Sequence, residues 1–310
     1  MNDLTVKENT EIANIPDNKK YKRRFGDRKD GRRIRTMDPL SQVAPFIMPN
    51  RSGAMNYIQD AIPMDEIEKY IHKKRAEGKP GFGAMHVLVA AYIRMLSQKP
   101  GLNRFLSGLR IFARHNVEVI MAVKKELSIN APETMMKFVF EKTATADDVY
   151  NQFTEKINAF KNEEEKETAF DFVASLLGKL PRFILRGTVA FLKFLDHHGL
   201  LPKFLIDLSP FHGSLVITSM ASLGIPPIYH HLYNFGNVPV FIAFSAIRRE
   251  NVLTKDGSVS NVRYLDLTFS TDDRICDGHY YSVGFHELRK YLKNPDLLDL
   301  PPEKVVDDIA

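Results

Sequence analysis

The stretch STDDRICDGHYY, residues 270–281, decides the predicted fold, because it joins a strand to a helix through a turn crowded with charge. The preceding segment VRYLDLTFS, residues 262–270, alternates like a β-strand with one buried face. The following segment SVGFHELRKYLKN, residues 282–294, repeats apolar residues at helical spacing. The turn contains three aspartates: Asp272, Asp273 and Asp277. Their proximity raises the question whether this is a working active site or the remains of one.

Alternating strand and helix patterns continue upstream of this turn. Further strands are predicted near 117–125, 136–143, 213–224 and 238–247. Helices are predicted at 67–78, 81–100 and 146–166. Residues 37–66 read as extended segments punctuated by proline. Asp256 and Gly257 mark a hairpin turn before the strand that leads to the aspartates.

The composition is that of a soluble globular protein, with 310 residues, 44% hydrophobic and 26% charged. Cys276 is the single cysteine, so no internal disulfide forms, and no Cys/His spacing suggests a metal site. A reducing, cytoplasmic location is the simplest expectation. The N-terminus has no apolar core of a secretory signal, and no apolar run reaches the roughly 18 residues of a spanning helix.

Positive charge is concentrated near the N-terminus, after a segment at 1–17 that is predicted to be disordered. Residues 18–35 contain ten Lys or Arg against two Asp, and we treat 18–37 as a basic arm. Such an arm either packs across an acidic neighbouring surface or contacts a polyanion. No nucleic-acid-binding module follows it, so nucleic acid is not expected as a partner.

Residues 168–208 are strongly apolar yet carry five regularly placed cations: Lys179, Arg182, Arg186, Lys193 and Lys203. Pro181, Gly199 and Pro202 divide this region into two or three predicted helices. A basic, apolar helix of this kind lies on an anionic membrane surface, covers its own domain or binds a partner subunit. All three alternatives remain open at the level of sequence.

The turn resembles the C-terminal signature of the acyltransferase core of 2-oxoacid dehydrogenase complexes. That signature is Ser-x-Asp-His-Arg-x-x-Asp-Gly, and residues 270–278 read Ser-Thr-Asp-Asp-Arg-Ile-Cys-Asp-Gly. The same residues are similar to the His-x-x-x-Asp-Gly motif of chloramphenicol acetyltransferase. Other segments match in the same order: AMNYIQDAIPMDEI, KPGLN, VEVIMAV, VITSMASLG and NPDLLDLP. The resemblance covers roughly residues 40–300.

This resemblance implies an α/β fold, a two-layer α+β sandwich in which helices cover a mixed sheet, as in chloramphenicol acetyltransferase. The acyltransferase-like domain would span 38–300, with an extra helical insertion near 176–208 and a C-terminal tail at 301–310. The family also implies a homotrimer with active sites between subunits. Coenzyme A or acyl-CoA would be a substrate, acting with an unknown acceptor, and no tightly bound cofactor or metal is expected.

The resemblance assigns roles to individual positions. Asp273 stands where the family has its catalytic histidine and would be the base. Asp277 would pair with an arginine and shape the turn, helped by Arg274 and Gly278. The oxyanion donor would be Ser219, with two neighbouring hydroxyls as alternatives: Thr218 and Ser222. Three histidines are alternative bases: His279, His230 and His231.

Loss of the histidine leaves three hypotheses. An aspartate is a weaker base by about 2.6 pKa units, which costs roughly twentyfold at a proportionality of about one half, and its shorter side chain reaches less far. The chain is then a retuned coenzyme A-dependent acyltransferase, acting on a thiol or hydroxyl. Alternatively it is a catalytically silent pseudoenzyme, kept as a trimeric scaffold or acyl-CoA-binding protein. The third hypothesis is a membrane-surface module that uses 176–208.

Overall fold

The computed structural model describes residues 22–124, 133–162 and 169–310 of the chain. The segment at 1–17 that is predicted to be disordered lies outside these residues, as do residues 18–21 of the basic arm. Nine strands are described: β1 (Gly31–Arg33), β2 (Met55–Pro63), β3 (Arg104–Ser107), β4 (Arg110–Arg114), β5 (Val117–Lys124), β6 (Glu133–Phe140), β7 (Leu215–Ser219), β8 (Val240–Leu253) and β9 (Val259–Asp272).

Eight α-helices are described in the same part of the chain. They are α1 (Pro39–Ile47), α2 (Asp65–Ala76), α3 (Ala84–Gln98), α4 (Ala146–Asn162), α5 (Ala169–Gly178), α6 (Arg182–His197), α7 (Lys203–Leu208) and α8 (Gly278–Lys293). None of these described helices combines the length and the apolar character needed to cross a bilayer.

Six strands form one mixed sheet in the order β2-β9-β8-β7-β5-β6. Strand β7 runs parallel to both of its neighbours, β5 and β8, while the remaining pairs are antiparallel. Helices α2, α3, α4 and α8 contribute to one large apolar core against one face of this sheet. The mixed sheet with its helical layer confirms the predicted α/β fold.

Strand β9 shows why the sheet buries this face. Alternate side chains of a strand point to opposite faces, and Leu265, Leu267 and Phe269 are all buried in the helix-facing core. Thr268 points to the other face, where its hydroxyl donates to the carbonyl of Ile228 at 2.7 Å. The same alternation places Asp272 on the opposite side. Asp273 lies in the turn beyond the strand and bonds to Asn56, whose strand partner Thr271 is on the helix side.

The structure corrects one predicted element and the start of one predicted helix. Residues Pro39–Ile47 form helix α1 rather than an extended segment. The Asp38 side chain caps this helix by accepting from the Ser41 amide at 3.0 Å, and proline is tolerated in a first turn because that turn lacks amide partners. The last helix begins at Gly278, before the predicted residue 282, because Asp277 caps it there.

A second, three-stranded antiparallel sheet, β1-β4-β3, was not predicted. Its first strand comes from the basic arm and pairs with β4 from Gly31↔Arg114 to Arg33↔Phe112. The arm is therefore part of the folded chain from that point. The C-terminal tail lies beside it, since the amide of Arg35 donates to the carbonyl of Ala310 at 3.0 Å.

Helices α5, α6 and α7 confirm the helical pieces predicted from the apolar, basic region. A buried ion pair attaches α6 to the arm: Arg28 Nη2 lies 2.7 Å from Asp196 Oδ1, and Arg28 Nε lies 2.8 Å from Asp30 Oδ1. Burial acts to raise the pKa of Asp196, but His212 and Arg28 outweigh it and lower that pKa. Arg28 of the arm thus packs on a carboxylate of α6 as well as on Asp30 of the arm itself. Of the two alternatives for the arm, this contact agrees with packing on a neighbouring acidic group.

Gly236 gives a direct test of close packing next to this buried network. Its φ is +79°, and an added Cβ would lie 2.0 Å from the carbonyl oxygen of Phe211. We expect Gly236→Ala to lower the free energy of unfolding by about 2–4 kcal/mol, measured by urea denaturation. Gly257→Ala is the matched control, because φ is +85° there but nothing lies within 4 Å of the added Cβ. If both variants lose the same free energy of unfolding, the contact between position 236 and the Phe211 carbonyl does not contribute to the loss.

Candidate active site

Asp272, the last residue of β9, anchors the turn that the sequence singled out. Its carboxylate is fully buried between two arginines. Arg274 Nε lies 2.7 Å from Oδ1 and its Nη2 lies 2.8 Å from Oδ2. Arg51 Nε reaches Oδ2 from the opposite side at 3.2 Å. A two-pronged guanidinium contact fixes both partners, so the turn has little freedom to rearrange.

Both arginines carry this anchoring further into the fold. Arg274 Nη1 donates to the carbonyl of Met48 at 2.8 Å, just after α1. Arg51 Nη1 donates to the carbonyl of Tyr233 at 2.6 Å, in the loop at 225–238. Burial acts first on the Arg51 guanidinium and lowers its pKa, while Asp272 opposes that effect. The ion cluster therefore ties together the end of the sheet, the end of α1 and this loop.

Among the described residues, the arginine contacts of this turn are made by Asp272, and the arginine pairing that the resemblance implies for Asp277 stays a prediction. Asp277 is exposed, and its side chain accepts from the amide of Tyr280 at 2.8 Å, which caps α8. Gly278 has no positive φ, and a Cβ there would meet nothing within 4 Å. The helix start thus depends on the cap rather than on glycine.

Asp273 follows the buried anchor and is half-buried. Its amide donates to the carbonyl of Ala54 at 2.9 Å, and its Oδ1 accepts from Nδ2 of Asn56. Oδ2 has no hydrogen-bond partner among the described residues. One carboxylate oxygen is thus fixed while the other remains available to accept a proton.

A groove of about 420 Å³ opens between β2 and α8, and Asp273 is connected to its lining through Asn56. Asn56, the partner of Asp273, lines it together with Gly278 at the start of α8. Its far end is closed by an ion pair in which Arg289 Nε lies 2.6 Å from Asp60 Oδ2. The groove provides room for a ligand next to the predicted base.

Ser219 lies at the opposite end of the sheet from Asp273. It is the last residue of β7 and pairs with Phe244, which pairs in turn with Leu267 of β9. Asp273 lies six residues beyond Leu267, so the two side chains of one chain are about 20 Å apart along the strand direction. The predicted base and the predicted oxyanion donor are not brought together within one chain.

The hydroxyl of Ser219 accepts from the amide of Ala221 at 3.3 Å, so its own O–H proton remains free to donate elsewhere. Thr218 points to the other face of the sheet because strand side chains alternate. Ser222 lies exposed on the short 3₁₀ turn after the strand. Of the three hydroxyls, Ser219 shares a sheet face with Asp273.

The three alternative histidines make no hydrogen bond to Asp273 in the described structure. His230 stacks on Phe241 with ring centroids 4.1 Å apart, and burial together with His231 lowers the pKa of its imidazole. His231 packs edge-on against Tyr233 at 5.1 Å. His279 is exposed in the first turn of α8.

Cys276 is buried beneath the turn, and burial raises the pKa of its thiol above the ordinary range. A thiol of this kind stays protonated and is a poor nucleophile. No group of three or more His, Cys, Asp or Glu side chains within the described ranges is placed to hold a metal ion. Asp273 combines partial exposure, an oxygen without a hydrogen-bond partner among the described residues and a bond to Asn56 in the groove lining.

Two contributors to this site have no signal in the sequence pattern, and a third has only a weak one. Asn56 and Arg51 lie more than 200 residues from the turn and reach it only through the pairing of β2 with β9. The buried role of Asp272 has a weak signal, since strand alternation places it on the opposite face from Asp273. Alternation along β9 gives the face on which Asp272 lies, but it does not identify the partners of Asp272 unless the register of β2 against β9 is known.

The fold is similar to that of the catalytic acyltransferase cores of 2-oxoacid dehydrogenase complexes and of chloramphenicol acetyltransferase. A probable dihydrolipoamide acetyltransferase from Listeria monocytogenes superposes with a TM-score of 0.53 at 14% identity, covering 84% of this chain and 95% of that one. A truncated catalytic core of the 2-oxoacid dehydrogenase complex from Thermoplasma acidophilum gives 0.50 at 12% identity, with coverages of 86% and 100%.

A chloramphenicol acetyltransferase structure gives a TM-score of 0.50 at 11% identity, covering 85% of this chain and 100% of that one. No family model matches the sequence, and no curated protein matches it either. At these identities the likeness establishes an acyltransferase-like fold.

Proposed function

We propose that the chain transfers an acyl group between coenzyme A and a thiol or hydroxyl acceptor, with Asp273 as the proton acceptor. The observation that carries this proposal is the environment of Asp273. It follows a rigid, buried ion cluster, keeps one carboxylate oxygen unpartnered and bonds to Asn56 in the lining of a groove. These features support the proposal, because a general base needs a fixed position and a free oxygen that can reach the substrate proton.

The proposed reaction balances without a further reactant. The acceptor's sulfur or oxygen attacks the thioester carbonyl carbon while Oδ2 of Asp273 takes its proton. The hydroxyl of Ser219 from a second copy donates to the tetrahedral oxyanion. The intermediate then releases the coenzyme A thiolate, which recovers the proton from Asp273. A reducing cytoplasm, predicted from the single cysteine, keeps a thiol acceptor in its reactive form.

An assembly of copies is part of this proposal, because Asp273 and Ser219 of one chain lie about 20 Å apart along the strands. The expected assembly is the homotrimer that the resemblance implies. In a closed ring, each copy would give Asp273 to one interface and Ser219 to the next.

The second candidate is a catalytically silent scaffold or acyl-CoA-binding protein of the same fold. The observation that favours it is the position of the histidines, since His230, His231 and His279 make no hydrogen bond to Asp273 in the described structure. In this case the ion cluster around Asp272 would be retained for stability alone.

Asp273 variants distinguish the two candidates. The purified full chain is incubated with acetyl-CoA and a panel of thiol and alcohol acceptors, and thiol release is followed. We expect turnover by the unaltered chain and a loss of about a hundredfold or more in Asp273→Asn, the range typical of a general base. Asp65→Asn, at an exposed aspartate of α2, is the matched control and should leave the rate unchanged.

The Asp273→His variant gives the opposing outcome. If the unaltered chain shows no turnover with any acceptor and Asp273→His gains it, the silent candidate is correct. If Asp273→Asn retains the full rate of an active chain, Asp273 is not the base.

A further inference from the structure

Helix α6 leaves one of its sides without a partner in the described structure. On its inner side, Leu192 and Leu195 are half-buried, and the buried Asp196 attaches the helix to Arg28 and Ser107. Its outer side exposes three phenylalanines that share one side of the helix: Phe183 at 76%, Phe191 at 59% and Phe194 at 54% exposure. Neighbouring helices α5 and α7 add exposed Phe172, Leu176 and Phe204. Such a concentration of exposed phenylalanine is unusual for a surface in contact with water alone.

A stripe of cations runs along the same helix, next to the phenylalanines. Arg182, Arg186 and Lys193 recur at helical spacing and line a surface groove of about 460 Å³ on α6. The one carboxylate of α6, Asp196, is buried and bonded to Arg28 and His212. The exposed surface of α6 is thus both cationic and apolar, with no exposed acid.

This surface continues onto the basic arm and α1. Lys193 and Gly108 line a common cleft, and Gly108 also lines a second cleft together with Arg33, Arg110 and Phe46. A third cleft is shared by the arm and the end of α6. The apolar side chains exposed on this part are Phe25, Leu40, Val43, Phe46 and Ile47.

Negative charge is absent from the exposed part of these four clefts. Among the described residues that line them, the carboxylates are Asp27 and Asp196, and both are buried in ion pairs. We call the joined surface of α6, α1 and the arm the basic-apolar face.

The chemistry of this face selects its occupant. A nucleic acid or a free phosphate would neutralise the arginines but leave the phenylalanines in water. A second copy that met the same face symmetrically would bring like charges together, and a head-to-tail contact between copies, as in the proposed ring, is a separate outcome of the test. An anionic bilayer satisfies both features, because phenylalanine enters the headgroup–acyl boundary while arginine and lysine reach the lipid phosphates.

We propose that the basic-apolar face docks the protein flat on an anionic lipid bilayer, with α6 lying in the membrane interface. The 16-residue helix is about 24 Å long, enough to place both its ends at the headgroup level when it lies parallel to the surface. The helix layer of the sheet and the groove beside Asp273 belong to other elements, so this inference does not depend on the proposed acyl transfer.

Vesicle flotation tests the proposal with the full chain. The probes are vesicles of phosphatidylcholine alone and vesicles in which roughly one-third is phosphatidylserine, a strongly anionic composition. We expect the chain to float with the anionic vesicles only and to be released by high salt. Arg182→Glu with Arg186→Glu should reduce the bound fraction at least about tenfold, because each cation near an anionic surface contributes about 1 kcal/mol.

Two further variants separate the contributions. Phe183→Ser with Phe191→Ser should also weaken binding, since it removes apolar insertion without a change of charge. The matched charge control is Lys69→Glu with Lys290→Glu, which reverses the charge of two exposed lysines on α2 and α8 and should leave binding intact. Circular dichroism confirms that each variant is folded.

The proposal is overturned if the chain stays in the bottom fraction of the gradient with both vesicle types. It is also overturned if the Lys69/Lys290 control loses binding as the α6 variants do. It is also overturned if the α6 variants change only the sedimentation coefficient of the chain, which would make the face a contact between copies. A chain that shifts RNA on a gel without floating with vesicles contradicts it as well.

Discussion

Replacing Asp272 with asparagine is expected to lower the free energy of unfolding by about 3–5 kcal/mol, because it leaves two buried arginines without their carboxylate. Arg274 and Arg51 both contact this side chain, and all three side chains are buried. Asparagine keeps the size of the side chain but removes the charge and replaces one acceptor oxygen by an NH2 donor. The loss therefore measures the charge and the hydrogen bonds of Asp272 together, and chemical denaturation followed by circular dichroism records it.

Asp277→Asn is the control for this experiment. Asp277 belongs to the same turn, but its carboxylate is exposed and serves as the cap of α8. Asparagine caps helices about as well as aspartate, so we expect a change within about 0.5 kcal/mol. If Asp272→Asn is no more costly than Asp277→Asn, the buried ion cluster does not hold the turn.

Removing one of the stranded cations should recover part of the loss. In the Asp272→Asn background, Arg51→Met replaces a buried guanidinium by an apolar side chain of similar length. We expect the double variant to be more stable than the sum of the two single changes predicts, as contacting residues are not additive. Simple additivity would show that Arg51 and Asp272 do not interact in solution.

The elements that follow from sequence are those whose pattern is long and regular. Strand β9 and helix α8 have many residues that obey one period, so their type is predicted correctly. Helix α1 was missed because its two prolines favour extended structure, whereas Asp38 and the first-turn Pro39 together start a helix. Strands β1, β3 and β4 have three to five residues each, too few for alternation to be visible.

The candidate site divides in the same way. The position of Asp273 follows from the motif, because the turn between a strand and a helix is local in sequence. Its hydrogen-bond partner Asn56 depends on the pairing of β2 with β9, in which Asn56 lies opposite Thr271. Arg274 pairs with Asp272, which is buried, and a motif does not encode which aspartate of the turn is buried. Long-range register and burial are thus what the sequence alone lacked.

Mixing two inactive variants is expected to restore activity if the proposed site lies between copies. One variant is Asp273→Ala and the other is Ser219→Ala, and each is inactive alone in the proposed mechanism. Within one chain these residues are separated by about 20 Å along the strands, so neither variant contains a complete site. In a mixed ring, an interface is complete when it joins the intact Asp273 of one copy to the intact Ser219 of the next.

Random assembly makes about one quarter of the interfaces complete, since each of the two intact residues is present with a probability of about one half. Isolation through both tags keeps only mixed trimers, in which one interface of the three is complete, so we expect co-expressed variants with different purification tags to show about a third of the unaltered rate. The control is a mixture of the two variants purified separately and combined without exchange of subunits, which should stay inactive. If the two variants co-assemble and neither sample regains activity, the base and the oxyanion donor do not come from different copies. The test is decisive because the two residues lie at opposite ends of the sheet of one chain.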